Sequence, residues 1–100
     1  MSPRPRYPKS GCCVPFCRRT STLFKSEWLC GMHWRLVDRA LKRFRTKRLR
    51  QLYRAWEEAK AQDPNSRATF KAWRQWHRSE RLIWRRMKRQ AIERAAGATS

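Results

Sequence analysis

The sequence predicts a mainly helical protein in which a short cysteine-rich finger leads into a long antiparallel helical hairpin. Three observations carry the prediction. Cys13 and Cys17 form one close pair, and Cys30 and His33 form another after twelve intervening residues. Apolar residues recur at helical spacing over two long stretches, from Trp34 to about Lys60 and from about Arg67 to Ala95. Between those stretches, Gln62-Asp63-Pro64-Asn65-Ser66 interrupts the pattern with turn-forming residues.

The chain has 100 residues, enough for one small domain, and chains of this size often need a metal or disulfides to supplement a modest core. Its four cysteines are the natural staple. No charged, apolar and small-residue signal segment precedes them, so the expected setting is the reducing cytoplasm and the expected staple is a metal. A run of about 18 apolar residues is absent, and no membrane span is expected. Lys and Arg number 26 against 7 Asp and Glu, a formal net charge of +19. A compact domain so charged repels itself unless a polyanion neutralises it. Of the 26 cations, 19 are Arg, whose planar guanidinium suits bidentate phosphate contact and stacking on bases. The expected partner is therefore a nucleic acid, DNA or RNA.

Residues 1 to 11 carry Pro3, Pro5 and Pro8 among Arg4, Arg6 and Lys9. Proline at that density prevents a helix, so this segment reads as a flexible basic arm. Residues 12 to 34 form the metal module. Three residues including Pro15 separate Cys13 from Cys17, and a tight turn there presents both sulfurs to one ion. Cys12 competes for the first position with a four-residue gap. The preferred set is Cys13, Cys17, Cys30 and His33, with Cys12 as the alternative first ligand. Four such ligands close zinc's tetrahedral shell and make the site structural, with no open position for catalysis. Cys30 and His33 fit the first turn of the following helix, whose positive end favours a thiolate at Cys30.

Two ligands from a turn and two from a helix start describe a treble-clef or related zinc-finger geometry. Phe24, Trp28 and Leu29 would lie in the extended segment covering the ion. The pattern Cys-x3-Cys-x12-Cys-x2-His, with Trp34 next, resembles small treble-clef-like zinc modules of uncharacterised phage and prophage proteins. The resemblance covers residues 12 to 37 and implies a fold that hosts many functions. If the chain is phage-encoded, the compartment it implies is the host cytoplasm.

The hairpin is expected over residues 35 to 96, with helices at about 31–61 and 67–95 and a small polar tail at 97–100. On the first helix Trp34, Val37, Leu41, Phe44, Leu49, Leu52, Trp56 and Ala59 share one broad face. Pro64 ends that helix, because the residue before a proline avoids the α region, and Asn65 or Ser66 caps the next. On the second helix Phe70, Trp73, Trp76, His77, Ile83, Trp84, Met87 and Ala91 share a face, interrupted by Glu80. Two such helices joined by a short loop pack antiparallel, with Trp and Leu in the seam.

Five of the six tryptophans, Trp34, Trp56, Trp73, Trp76 and Trp84, fall on apolar faces, so core packing is their expected role. Exposed members would stack on unpaired bases or face a second copy in a homodimer. His77 is expected to be a half-buried core residue. Treble-clef modules include nucleases of the His-Asn-His type, but the one His outside the metal set, His77, lacks a partner at a matching place. The protein is therefore read as a non-enzymatic, zinc-stabilised nucleic-acid-binding protein. Arg18 and Arg19 beside the metal, and Arg43, Lys47, Arg50, Arg54, Arg74, Arg78, Arg81 and Arg85 along the helices, are the expected contacts. The alternatives are an interaction module for an acidic protein partner and a metal-dependent nuclease.

Overall fold

The computed structural model describes residues 6–97. The expected arm at residues 1–5 and tail at 98–100 lie outside the described residues. The described chain is mainly helical. Its elements are β1 (Ser10–Gly11), β2 (Thr20–Ser21), α1 (Gly31–Trp34), α2 (Arg39–Gln62) and α3 (Arg67–Gly97). They fall into two compact units, one of Asp38–Met87 and one of the chain up to Val37 together with the chain from Lys88 onward.

In the hairpin unit, α2 and the larger part of α3 pack as the expected long helical hairpin. The loop forms as its residues dictate. Asp63 is extended, and its carboxylate accepts a hydrogen bond from the Asn65 N–H at 3.0 Å. Ser66 caps α3 by accepting from the Thr69 N–H at 3.1 Å. Thr69 is buried, and its hydroxyl donates to the Asp63 carbonyl at 2.6 Å, so loop and cap form one closed network. The seam is narrower than the apolar pattern suggested. On α2 it buries Leu41, Leu49 and Leu52, and on α3 Thr69, Ile83 and Met87, with Ala72, Trp76 and Ser79 half-buried. The seam positions of α3, from Thr69 through Ala72, Trp76, Ser79 and Ile83 to Met87, recur at three- and four-residue steps, so only a strip of the helix is covered. Phe44, Phe70 and Trp73, expected in the core, are therefore exposed on its flanks. Trp56, Trp76 and Trp84 are half-buried, and the Trp76 indole N–H donates to the Leu49 carbonyl at 3.1 Å. His77 is half-buried with its ring 4.5 Å from Trp73, 5.0 Å from Trp76 and 6.2 Å from Trp56, a packing role.

In the metal unit, β1 and β2 pair antiparallel with Ser10 opposite Ser21 and Gly11 opposite Thr20. The Tyr7 N–H extends the pairing by donating to the Thr22 carbonyl at 2.9 Å. Residues 7 to 11, expected as part of a free arm, are thus tied to the finger by backbone hydrogen bonds. Trp28 is buried, stacks on Phe24 at 5.3 Å and donates its indole N–H to the Ser10 hydroxyl. Val14, Cys30, Val37 and Ala91 complete the buried set. The last residues of α3 belong to this unit rather than to the hairpin alone. Lys88 forms an ion pair with Glu27 at 2.6 Å, and the Arg94 guanidinium donates to the Leu36 carbonyl at 2.6 Å.

The first helix differs from the single span expected at about 31–61. α1 ends at Trp34 in a tightened turn, where the N–H groups of Leu36 and Val37 donate three residues back to His33 and Trp34. Val37 is buried and Asp38 is extended, with ψ at 133°. The Asp38 carbonyl then accepts from the Lys42 N–H, which starts α2. No glycine or proline marks this break. Val37 is the last residue before the break, and Asp38, a residue type found at helix starts, precedes α2. Trp34, at the end of α1, stays exposed.

Candidate metal centre and basic faces

Three segments supply the close-set ligand atoms. The first leaves β1 as extended chain, where the Cys12 N–H donates to the Arg19 carbonyl and the Cys13 N–H to the Trp28 carbonyl, both at 3.0 Å. Side chains alternate along such a segment, so Cys12 and Cys13 point to opposite sides. The second is a tight turn over Val14-Pro15-Phe16-Cys17, closed by the Cys17 N–H donating to the Val14 carbonyl at 3.1 Å. Pro15 presets the first central position, and Phe16 takes the left-handed conformation, φ 69°, that a type II turn demands at the second. Its side chain is wholly exposed. The third segment is Cys30, which precedes α1, with His33 inside that helix.

Cys12, Cys17, Cys30 and His33 come together, with their ligand atoms all within 4.8 Å of one another, close enough to hold one metal ion. This reverses the expected order of the adjacent cysteines. Cys12 lies in the group and Cys13 outside it, its thiol 3.7 Å from the Glu27 carboxylate. The spacing of the group is therefore Cys-x4-Cys-x12-Cys-x2-His. Strand pairing chose between the two, because β1 and its continuation set which face each side chain takes.

The donor set fits a tetrahedral ion. Zinc bonded to sulfur at about 2.3 Å and to nitrogen at about 2.0 Å gives edges of about 3.8 Å between sulfurs and about 3.5 Å from sulfur to nitrogen. The Cys17–Cys30 sulfurs are 3.9 Å apart, and the Cys12 sulfur lies 3.6 Å from His33 Nδ1. The Cys30–His33 edge is tighter, at 3.1 Å.

Backbone N–H groups supply the surrounding polarity. The Cys30 N–H donates to the Cys12 sulfur at 3.3 Å. Burial pushes the Cys30 thiol up, but the N–H groups of His33 and Met32 and the Cys17 and Cys12 thiols outweigh it and hold Cys30 below its ordinary value. α1 is four residues long, so these local donors, rather than an extended helix dipole, favour the anion. At Cys17 a backbone donor at Arg19 pulls the thiol down, while burial and the Cys30 and Cys12 thiols raise it overall. Cys13 is raised, chiefly by burial and also by the Glu27 carboxylate.

The expected nucleic-acid contacts are all exposed: Arg18 and Arg19 in the metal unit, and eight on the hairpin helices. Arg43, Lys47, Arg50 and Arg54 recur at steps of four, three and four, and line one shallow groove of about 510 Å³ together with Lys42. Arg74, Arg78 and Arg81 line a second depression of about 790 Å³ with Arg67, Lys71, Phe70, Trp73 and His77. Arg85 lies outside it, one step further along the same face of α3. Arg67 and Lys71 were missed in the sequence. Their signal was present, since 67, 71, 74, 78, 81 and 85 form one series of four- and three-residue steps.

Compared with known proteins, the chain matches no family model, no curated protein and no solved structure. No helix among the described residues is long and apolar enough to cross a membrane.

Proposed function

We propose that the chain is a small zinc-stabilised nucleic-acid-binding protein that contacts phosphates through the Arg-rich faces of α2 and α3. The observation that carries this reading is the pair of exposed cationic stripes in a chain of net charge +19. Side chains of one sign, repeated along a helix face without interspersed carboxylates, are costly unless a polyanion covers them. On this reading the metal unit is a treble-clef-like finger with a structural zinc held by Cys12, Cys17, Cys30 and His33. Its support is the turn-plus-helix origin of the ligands and the fit of their spacing to zinc. The ion supplies folding free energy to a unit whose buried side chains are few. Arg18 and Arg19, next to the ligand Cys17, are held by the turn that the ion fixes.

The test is fluorescence anisotropy of zinc-loaded, nuclease-treated protein with labelled duplex DNA and with single-stranded DNA and RNA across a salt series. Affinity for duplex should fall with salt at a log–log slope of about −0.9 per phosphate neutralised. Charge reversal at Arg43, Lys47, Arg50 and Arg54 should flatten that slope. Weak, salt-insensitive binding to every probe would sink the reading and point to an acidic protein partner instead.

A further inference from the structure

We propose that Phe70 and Trp73, at the loop end of the hairpin, form a stacking platform for unpaired bases, so that the protein prefers single-stranded to duplex nucleic acid. This inference rests on the nucleic-acid reading above and adds its substrate class.

The two rings lie one turn apart on α3 and stack on each other, with centroids 5.8 Å apart and planes within 15°. They remain 57% and 40% exposed although the hairpin seam lies beside them. A depression of about 790 Å³ opens next to them, walled by Trp56, Pro64 and Thr69 and edged by Lys60 and Arg67. Apolar rings rimmed by cations match the two surfaces of a single strand, the face of a base and the phosphates on either side of it. In a duplex the base faces are already covered by their neighbours, so only the cationic rim would be used.

The Arg74 guanidinium lies 5.6 Å from the Phe70 ring and covers it in the free protein. An exposed contact of that kind stabilises by about two- to fivefold in equilibrium terms. A base on an aromatic ring contributes roughly 5- to 150-fold. The base therefore wins, and Arg74 swings to an adjacent phosphate while remaining on the same stripe as Lys71 and Arg78. A second copy of this chain is the poorer occupant, because its own cationic stripe would be brought against this one.

The test crosses base with ring. Wild-type protein and a Phe70→Leu/Trp73→Leu double variant are titrated with a labelled short oligothymidylate, with an abasic strand of the same length and charge, and with duplex. Both positions are substantially exposed, and retained helical circular dichroism establishes that the variant is folded. If the double variant loses helicity, the single variant Phe70→Leu, at the more exposed position, takes its place. Wild type should prefer thymidylate to the abasic strand by about 5- to 150-fold, and the variant should bind the two alike. Duplex affinity and its salt slope should be unchanged by the substitutions. Wild type that binds thymidylate and abasic strand equally overturns the platform but leaves phosphate binding standing. A variant that lowers affinity for all three probes in parallel, or that changes only the sedimentation of the protein, also overturns it. Failure of wild type to bind any probe would refute the underlying nucleic-acid reading itself.

Discussion

Replacing the adjacent cysteines one at a time gives the sharpest prediction, because two side chains of the same type, one residue apart, should behave oppositely. Cys12→Ser removes a sulfur from the four-membered group and the acceptor of the Cys30 N–H. Structural zinc binds small fingers with about 10–16 kcal/mol; shared evenly among four ligands, that is roughly 2.5–4 kcal/mol each, or about 70- to 900-fold in affinity. Cys13→Ser removes only a long, exposed thiol contact to Glu27, which keeps its ion pair with Lys88 at 2.6 Å. A half-buried thiol outside the close-set group, replaced by a near-isosteric hydroxyl, should change stability by about 1 kcal/mol at most, less than roughly sixfold in zinc affinity. Competition for zinc against a chromophoric chelator, with bound metal counted by mass spectrometry under native conditions, measures both. If Cys13→Ser lost the ion while Cys12→Ser kept it, the strand-based assignment of the ligand would be wrong.

Three further outcomes follow from local geometry. In the zinc-loaded protein, an alkylating reagent should label Cys13 before the other three cysteines, and chelation should open all four to labelling, as read by peptide mapping. Ser66→Ala should destabilise the hairpin by about 1 kcal/mol, because the α3 cap and the buried Thr69 lose a partner together; a thermal melt that does not move would refute that role. Phe16→Gly should stabilise the finger by about 1 kcal/mol, since a left-handed non-glycine residue costs about that much and this exposed side chain gives up no packing. Zinc competition reads this as tighter binding, and weaker binding would show that the Phe16 ring makes stabilising contacts in the finger.

The hairpin was legible because its signals are local and repeated. Pro64, Asp63 and Ser66 specify the turn whatever surrounds them, and Ser66 takes the cap that the sequence assigned jointly to it or Asn65. The cationic stripes are equally plain, as charges at three- and four-residue steps share a helix face by geometry alone. The core was read less well. Apolar type marked Phe44, Phe70 and Trp73 as interior, yet the seam takes Thr69, Ala72 and Ser79. Two helices cover only a strip of each other, so large apolar side chains beside that strip stay exposed.

By itself the sequence determined the helical class, the hairpin turn, the cationic faces, and Cys17, Cys30 and His33 as members of the ligand group. Each follows from backbone preference, residue spacing or charge, which act over a few neighbours. The tertiary structure alone decided that Cys12 rather than Cys13 joins them, that the first helix breaks before Asp38, and that the end of α3 belongs with the metal unit. Those outcomes go with the pairing of β1 with β2, the burial of Val37 and the Arg94 hydrogen bond to the Leu36 carbonyl. Such contacts join residues far apart in the chain, and no local pattern records them.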